Sequence, residues 1–110
     1  MTFEEFADAL SRTESNNNDR AYGDEGLALG RWQMHPAFFH DYMPRKWLVD
    51  SSWRDMFKQC LEVFWNEHDG AKADPVKLAM MFHLGVAAVL DEGQWDAPYA
   101  ERFQKCLASK

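Results

Sequence analysis

Glu14 closes an amphipathic stretch, FEEFADALSRTE, and leads straight into a polar run, SNNNDRAYGDEG, that carries Asp19, Asp24 and Glu25. A carboxyl group against apolar walls holds its proton, whereas a second one in polar surroundings ionises. That division is what general acid and base chemistry needs from a carboxylate pair. Cutting an acetal link between two sugars calls for such a pair, or for a single acid assisted by the substrate. The same residues also describe a solvated helix end beside an acidic loop, so the carboxylates alone leave both readings open.

The elements that must position Glu14 are helical. Thr2 and Glu5 form a capping box, and Phe3, Phe6, Ala7 and Leu10 recur at helical spacing, which predicts a helix over about residues 3 to 13. The Asn, Asp and Gly residues that follow favour turns and carry no apolar period, so a loop comes next. Leu27 to Met34 turns apolar around Gly30, and Pro36 begins a short helix through Phe39 and Tyr42. Ser51 or Ser52 caps a third helix in which Trp53, Met56, Phe57, Cys60, Leu61, Phe64 and Trp65 make one wide apolar stripe, with Gly70 just past its end. Asp74 and Pro75 read as cap and first position of a helix from Val76 to Leu90. That helix is apolar on nearly every side and so belongs in the middle of the domain. A last helix starts at Pro98, with Tyr99, Phe103, Cys106 and Leu107 on one face. No strand pattern of convincing length is present, so residues 1–110 read as one all-α domain.

Composition narrows the partners. A chain of 110 residues that is 46% hydrophobic has the apolar surface for one core and no room for two. The formal net charge of -6 argues against nucleic acid or an anionic membrane surface as partner, and it also works against close approach to an anionic cell wall at low salt. Cys60 and Cys106 read as two buried thiols or as one pair, and two cysteines make no disulfide framework. The His residues are scattered and no C-x-x-C occurs, so neither a metal nor another cofactor is expected. The start, MTFEEFADAL, is acidic where an export signal is basic, and no run is long enough to span a membrane. The expectation is a chain made in the cytoplasm, without membrane insertion.

The wording around Glu14 adds a resemblance. SRTES, from Ser11 to Ser15, followed by GDEGLALGRWQM, from Gly23 to Met34, resembles the goose-type lysozymes and the related soluble lytic transglycosylases. In that family a helix ends in Glu-Ser and a glycine-rich loop follows, and Gly23, Asp24, Gly26, Gly30 and Gln33 match its fixed positions. MMFHLG, from Met80 to Gly85, is similar to the family's Ala-Tyr-Asn-Ala-Gly, and PYAERF, from Pro98 to Phe103, is similar to its final helix. The resemblance implies a small lysozyme-like helical domain with a substrate cleft, acting on the β-1,4 link of peptidoglycan or a related amino-sugar glycan. It implies that Glu14 protonates the glycosidic oxygen, that Asp24 helps hold the attacking water, and that Ser15, Gln33, Phe82 and His83 contact substrate. Trp32 is then a sugar platform or a core plug, and Tyr99, counted with the substrate-binding residues, donates to Glu14.

The departures set the alternatives. His35 stands where the goose-type pattern has a second Asp, and is expected to be structural. Phe82 and His83 replace Tyr-Asn, so a hydroxyl and an amide are lost; His83 is then either a polar contact or a core residue. Two readings follow: a muramidase or lytic transglycosylase, or a lysozyme-like domain that binds glycan or a protein partner without cutting. Without an export signal of its own, such a chain fits a monomeric phage or mobile-element protein that reaches the wall through a lesion, a virion or a secretion machine.

Overall fold

The computed structural model describes residues 1–46 and 52–109. Helix α1 (Phe3–Ser15) starts as the capping box requires: the Thr2 side chain accepts from the Glu5 amide, and the Glu5 carboxylate accepts from the Thr2 amide at 2.9 Å. Phe6, Ala9 and Leu10 are buried on its inner face. The helix stops at Asn16, whose left-handed backbone (φ 56) turns the chain away and sends its amide to the Arg12 carbonyl.

A small hairpin follows, which the sequence pattern does not predict. Strands β1 (Tyr22–Gly23) and β2 (Ala28–Leu29) pair antiparallel, Tyr22 opposite Leu29 and Gly23 opposite Ala28, around a tight turn at Asp24–Gly26. Two residues per strand are too few to display an alternating pattern, so the hairpin leaves no periodic trace. It is joined to the core behind it by Gly30, at φ +76, where an added Cβ would lie 3.0 Å from the Phe57 ring.

Helix α2 (Pro36–Asp41) begins on the expected proline, and α3 (Trp53–Glu67) is capped by Ser52, which accepts from the Asp55 amide. Ser51, the alternative cap, lies outside the described residues. The apolar stripe of α3 buries Cys60, Leu61, Phe64 and Trp65, but Trp53 in its first turn is left exposed. Beyond α3 the chain folds back so closely that a Cβ on Gly70 would lie 2.0 Å from the Trp65 indole.

The single helix expected from Val76 to Leu90 is two: α4 (Pro75–Leu84) and α5 (Val86–Leu90). Gly85 between them takes φ 100 and ψ 147, a conformation no helix accommodates. In α4 four successive residues, Leu78 to Met81, are buried, which places it at the centre with neighbours on every side. Helix α6 (Ala97–Ala108) is capped by Asp96, slightly ahead of the expected start at Pro98.

Helix α1 packs most extensively on α6, α6 also packs on α4, and α3 lies against α1 and α2. Phe6 meets Phe103 edge-on at 5.9 Å between ring centroids and Trp65 at 5.4 Å, joining α1, α3 and α6. Each fully buried ring of this kind contributes about 2 kcal/mol. Cys60 and Cys106 are free thiols, and burial pushes that of Cys60 up to about 11. Among the described residues no helix is long and apolar enough to cross a membrane.

Candidate active site

Glu14 lies in the last turn of α1, where the partial negative charge of the helix end disfavours a carboxylate. Tyr99, in the first turn of α6, donates its hydroxyl proton to Glu14 Oε2. The bond crosses the most extensive helix contact of the domain, so the packing of α1 on α6 fixes its geometry. Burial raises the Glu14 pKa above the ordinary carboxyl range. The Tyr99 hydrogen bond and the positive charges of Arg102 and, when protonated, His83 and His35 draw it partly back. Tyr99, with only 1% of its surface exposed, is itself held far above its usual range, first by burial and then by the Glu14 charge beside it. It therefore stays a neutral donor.

A third helix end completes this side. His83 lies in the last turn of α4, and its ring is stacked flat on that of Tyr99, 3.9 Å between centroids and 2° between planes. Its Nε2 is 2.9 Å from Asp96 Oδ2. The other oxygen of Asp96 accepts from the Tyr99 amide at 3.1 Å, and the two bonds hold Asp96 below the ordinary carboxylate range, His83 having the larger influence.

Glu14 and His83 open onto a pocket of about 760 Å³ whose opposite wall is the hairpin and the start of α2, with Gly23, Asp24, Gln33 and His35. Asp24 and Glu25 turn through left-handed backbone (φ 49 and 59), as does Gln33 (φ 49). Three non-glycine residues in that region in so short a stretch is backbone strain of a kind that concentrates at functional sites. Gln33 donates its side-chain amide to the Gly30 carbonyl at 2.9 Å, and its Oε1 occupies the space that a side chain at position 23 would need. Asp24 meets His35 at 2.9 Å, with both side chains substantially exposed. The rest of the pocket is mainly apolar and aromatic, with Phe38, Tyr42, Phe64, Met81 and Phe82, and it also carries Asp41; Phe38 and Phe82 are in edge contact at 4.8 Å.

Glu14, Asp24, Gln33, Phe82 and His83, all chosen from the sequence, thus line one pocket, and Tyr99 stands directly behind Glu14. Three choices, Trp32, Ser15 and Tyr99, do not line the pocket. Trp32 is the core plug and not a platform: it is 3% exposed, and its indole nitrogen donates to the Ala7 carbonyl at 2.7 Å. Ser15 is a loop tie and not a substrate contact: its hydroxyl donates to the Arg31 carbonyl at 2.7 Å and accepts from the Asn18 amide at 3.0 Å. Tyr99 likewise is too deeply buried to touch a ligand and acts through Glu14. Asp19 is engaged by Arg31 at 2.7 Å and takes no part in the pocket.

Sequence reasoning misses His35 and Asp96. It takes His35 as structural, whereas His35 lines the pocket and faces Asp24. Asp96 is legible in Asp-Ala-Pro as a helix cap with proline just inside the start, but its second role on His83 is visible only in three dimensions. Among the described residues no group of His, Cys, Asp and Glu is placed to hold a metal ion. Comparison with known proteins adds no family: no family model, curated protein or solved structure matches the chain significantly.

Proposed function

We propose that this chain cleaves the β-1,4 glycosidic bond of peptidoglycan, with Glu14 as the general acid. One observation carries the reading: a carboxyl group whose pKa burial raises, hydrogen-bonded by the Tyr99 hydroxyl and opening onto a pocket with polar and aromatic walls. Such a group delivers a proton to a leaving-group oxygen, and the glycan resemblance of the segments around Glu14, Gln33 and Tyr99 names the leaving group as a sugar. No match to a known family stands behind this reading.

The pocket favours a route with one carboxyl. Asp24, the second candidate, is 67% exposed and tied to His35, so nothing dries or poises it as Glu14 is poised. In the route that fits, Glu14 gives its proton to the glycosidic oxygen as the C1–O bond breaks. The resulting carboxylate then takes the proton of the sugar's own 6-hydroxyl as that oxygen attacks C1, which leaves a 1,6-anhydro end. Hydrolysis, with a water held by Asp24, leaves a reducing end instead. Turnover of purified peptidoglycan followed by mass analysis of the products separates the two, and Glu14→Gln is expected to abolish both. Equal turnover by wild type and Glu14→Gln would end the proposal.

A second reading, binding of glycan or a protein partner without cleavage, draws on Phe82. Its ring lies against Phe38, and no hydroxyl reaches the pocket from that position. Affinity for chito-oligomers with no product formed by the wild type would favour it.

A further inference from the structure

We infer that His83 is a positioning residue for Glu14: bridged to Asp96 and stacked on Tyr99, it orients the hydroxyl that holds the acid. The inference rests on the reading of Glu14 as the acid.

Four linked contacts carry it. Asp96 joins the start of α6 to the end of α4, one oxygen on the Tyr99 amide and the other on His83 Nε2. The His83 ring is stacked on the Tyr99 ring at 3.9 Å and 2°, which packs one face of that ring. The Tyr99 hydroxyl is thereby aimed at Glu14 Oε2. The His83 nitrogen meets a carboxylate that also caps a helix, and its ring lies flat over the acid's own donor.

The second consequence is electrostatic. When protonated, His83 favours the ionised form of Glu14. The groups facing Glu14 are Tyr99 and Arg102 from α6, His83 from α4, and His35 from the segment ahead of α2. Of these, His83 alone is in contact with both the donor and the start of α6. Loss of its proton therefore leaves Glu14 a weaker acid that keeps its own proton to higher pH.

The test is the titration of the Glu14 carboxyl carbon, followed by ¹³C NMR in glutamate-labelled protein, in wild type, His83→Phe and Asp96→Asn. Phenylalanine keeps a ring on Tyr99 but removes the bridge and the charge. Asparagine keeps the helix cap and removes the carboxylate that bridges to His83. The Glu14 midpoint is expected to rise by about 0.5 pH or more in both variants. Where the wild type cuts peptidoglycan, the alkaline limb of its pH profile should move the same way. A Glu14 midpoint within error of wild type, or below it, in folded His83→Phe overturns the inference. The midpoint is read without turnover, so the role of His83 is decided even in a protein that cuts nothing, and independently of whether Glu14 acts as an acid on glycan.

Discussion

The two walls of the pocket are built in opposite ways. On one, Glu14, His83, Tyr99 and Asp96 sit at the ends of three helices that pack on each other, and the donor of the acid is almost wholly buried. On the other, Asp24 turns within a hairpin of two-residue strands and Gln33 in the loop beyond it, both on left-handed backbone, while His35 stands just ahead of α2, and the side chains of Asp24 and His35 are exposed. The contrast separates two tasks. Raising the pKa of a carboxyl group requires burial and fixed partners, which a packed core supplies, whereas lining a space for a large flexible ligand requires a surface that tolerates strain and water.

Substitutions that strike one wall and not the other sharpen this comparison. The largest effect is expected from Glu14→Gln, which keeps the shape and removes the proton: turnover of peptidoglycan should fall by about 10² to 10⁴-fold. The same variant has a stability signature of definite sign. Burial raises the Glu14 pKa in the folded state, so the unfolded chain gives up that proton at lower pH, and stability is lost as pH rises through the window above the ordinary value of 4.5. Glu14→Gln should therefore melt at a higher temperature than wild type at pH 7, with the difference closing below pH 4.5. A constant difference across that range would place Glu14 in water.

Tyr99→Phe comes next. It leaves the buried carboxyl without its donor, at a cost of about 1–3 kcal/mol measured by urea unfolding. It should also raise the Glu14 midpoint further, since the lost bond was one that favoured ionisation.

Gly30→Ala attacks the anchor of the loop wall. It combines an unfavourable φ of +76 with a clash on Phe57, and should cost about 1–3 kcal/mol while leaving the Glu14 titration unchanged.

The smallest effect is expected from Asp24→Asn. An exposed ion pair of this kind contributes about 0–1 kcal/mol, and turnover should fall less than about fivefold. A loss with Asp24→Asn as large as that with Glu14→Gln would reverse the comparison and put the decisive carboxylate on the hairpin.

Much of the helical wall is legible in the sequence, because caps and apolar spacing are local. Thr2 with Glu5 marks the start of α1, Ser52 that of α3, and Asp74 with Pro75 that of α4. The glycine-rich wording around Asp24 and Gln33 points to the loop wall, but not to its hairpin, whose strands are shorter than any period. Gly85 passes for an ordinary residue within an apolar run, since its backbone angle is not written in its neighbours. Trp32 is ambiguous between core and pocket until its indole nitrogen is seen to reach the Ala7 carbonyl. What no local pattern could give is the chain from Asp96 through His83 and Tyr99 to Glu14, which joins three helices distant in sequence.

The account stands on the state of one side chain, and the ¹³C titration of Glu14 in the wild-type protein addresses it most directly. The predicted result is a midpoint above 4.5, falling back toward that value as urea unfolds the chain. A midpoint at or below 4.5 in the folded protein would contradict it, since an acid already ionised there has no proton to deliver.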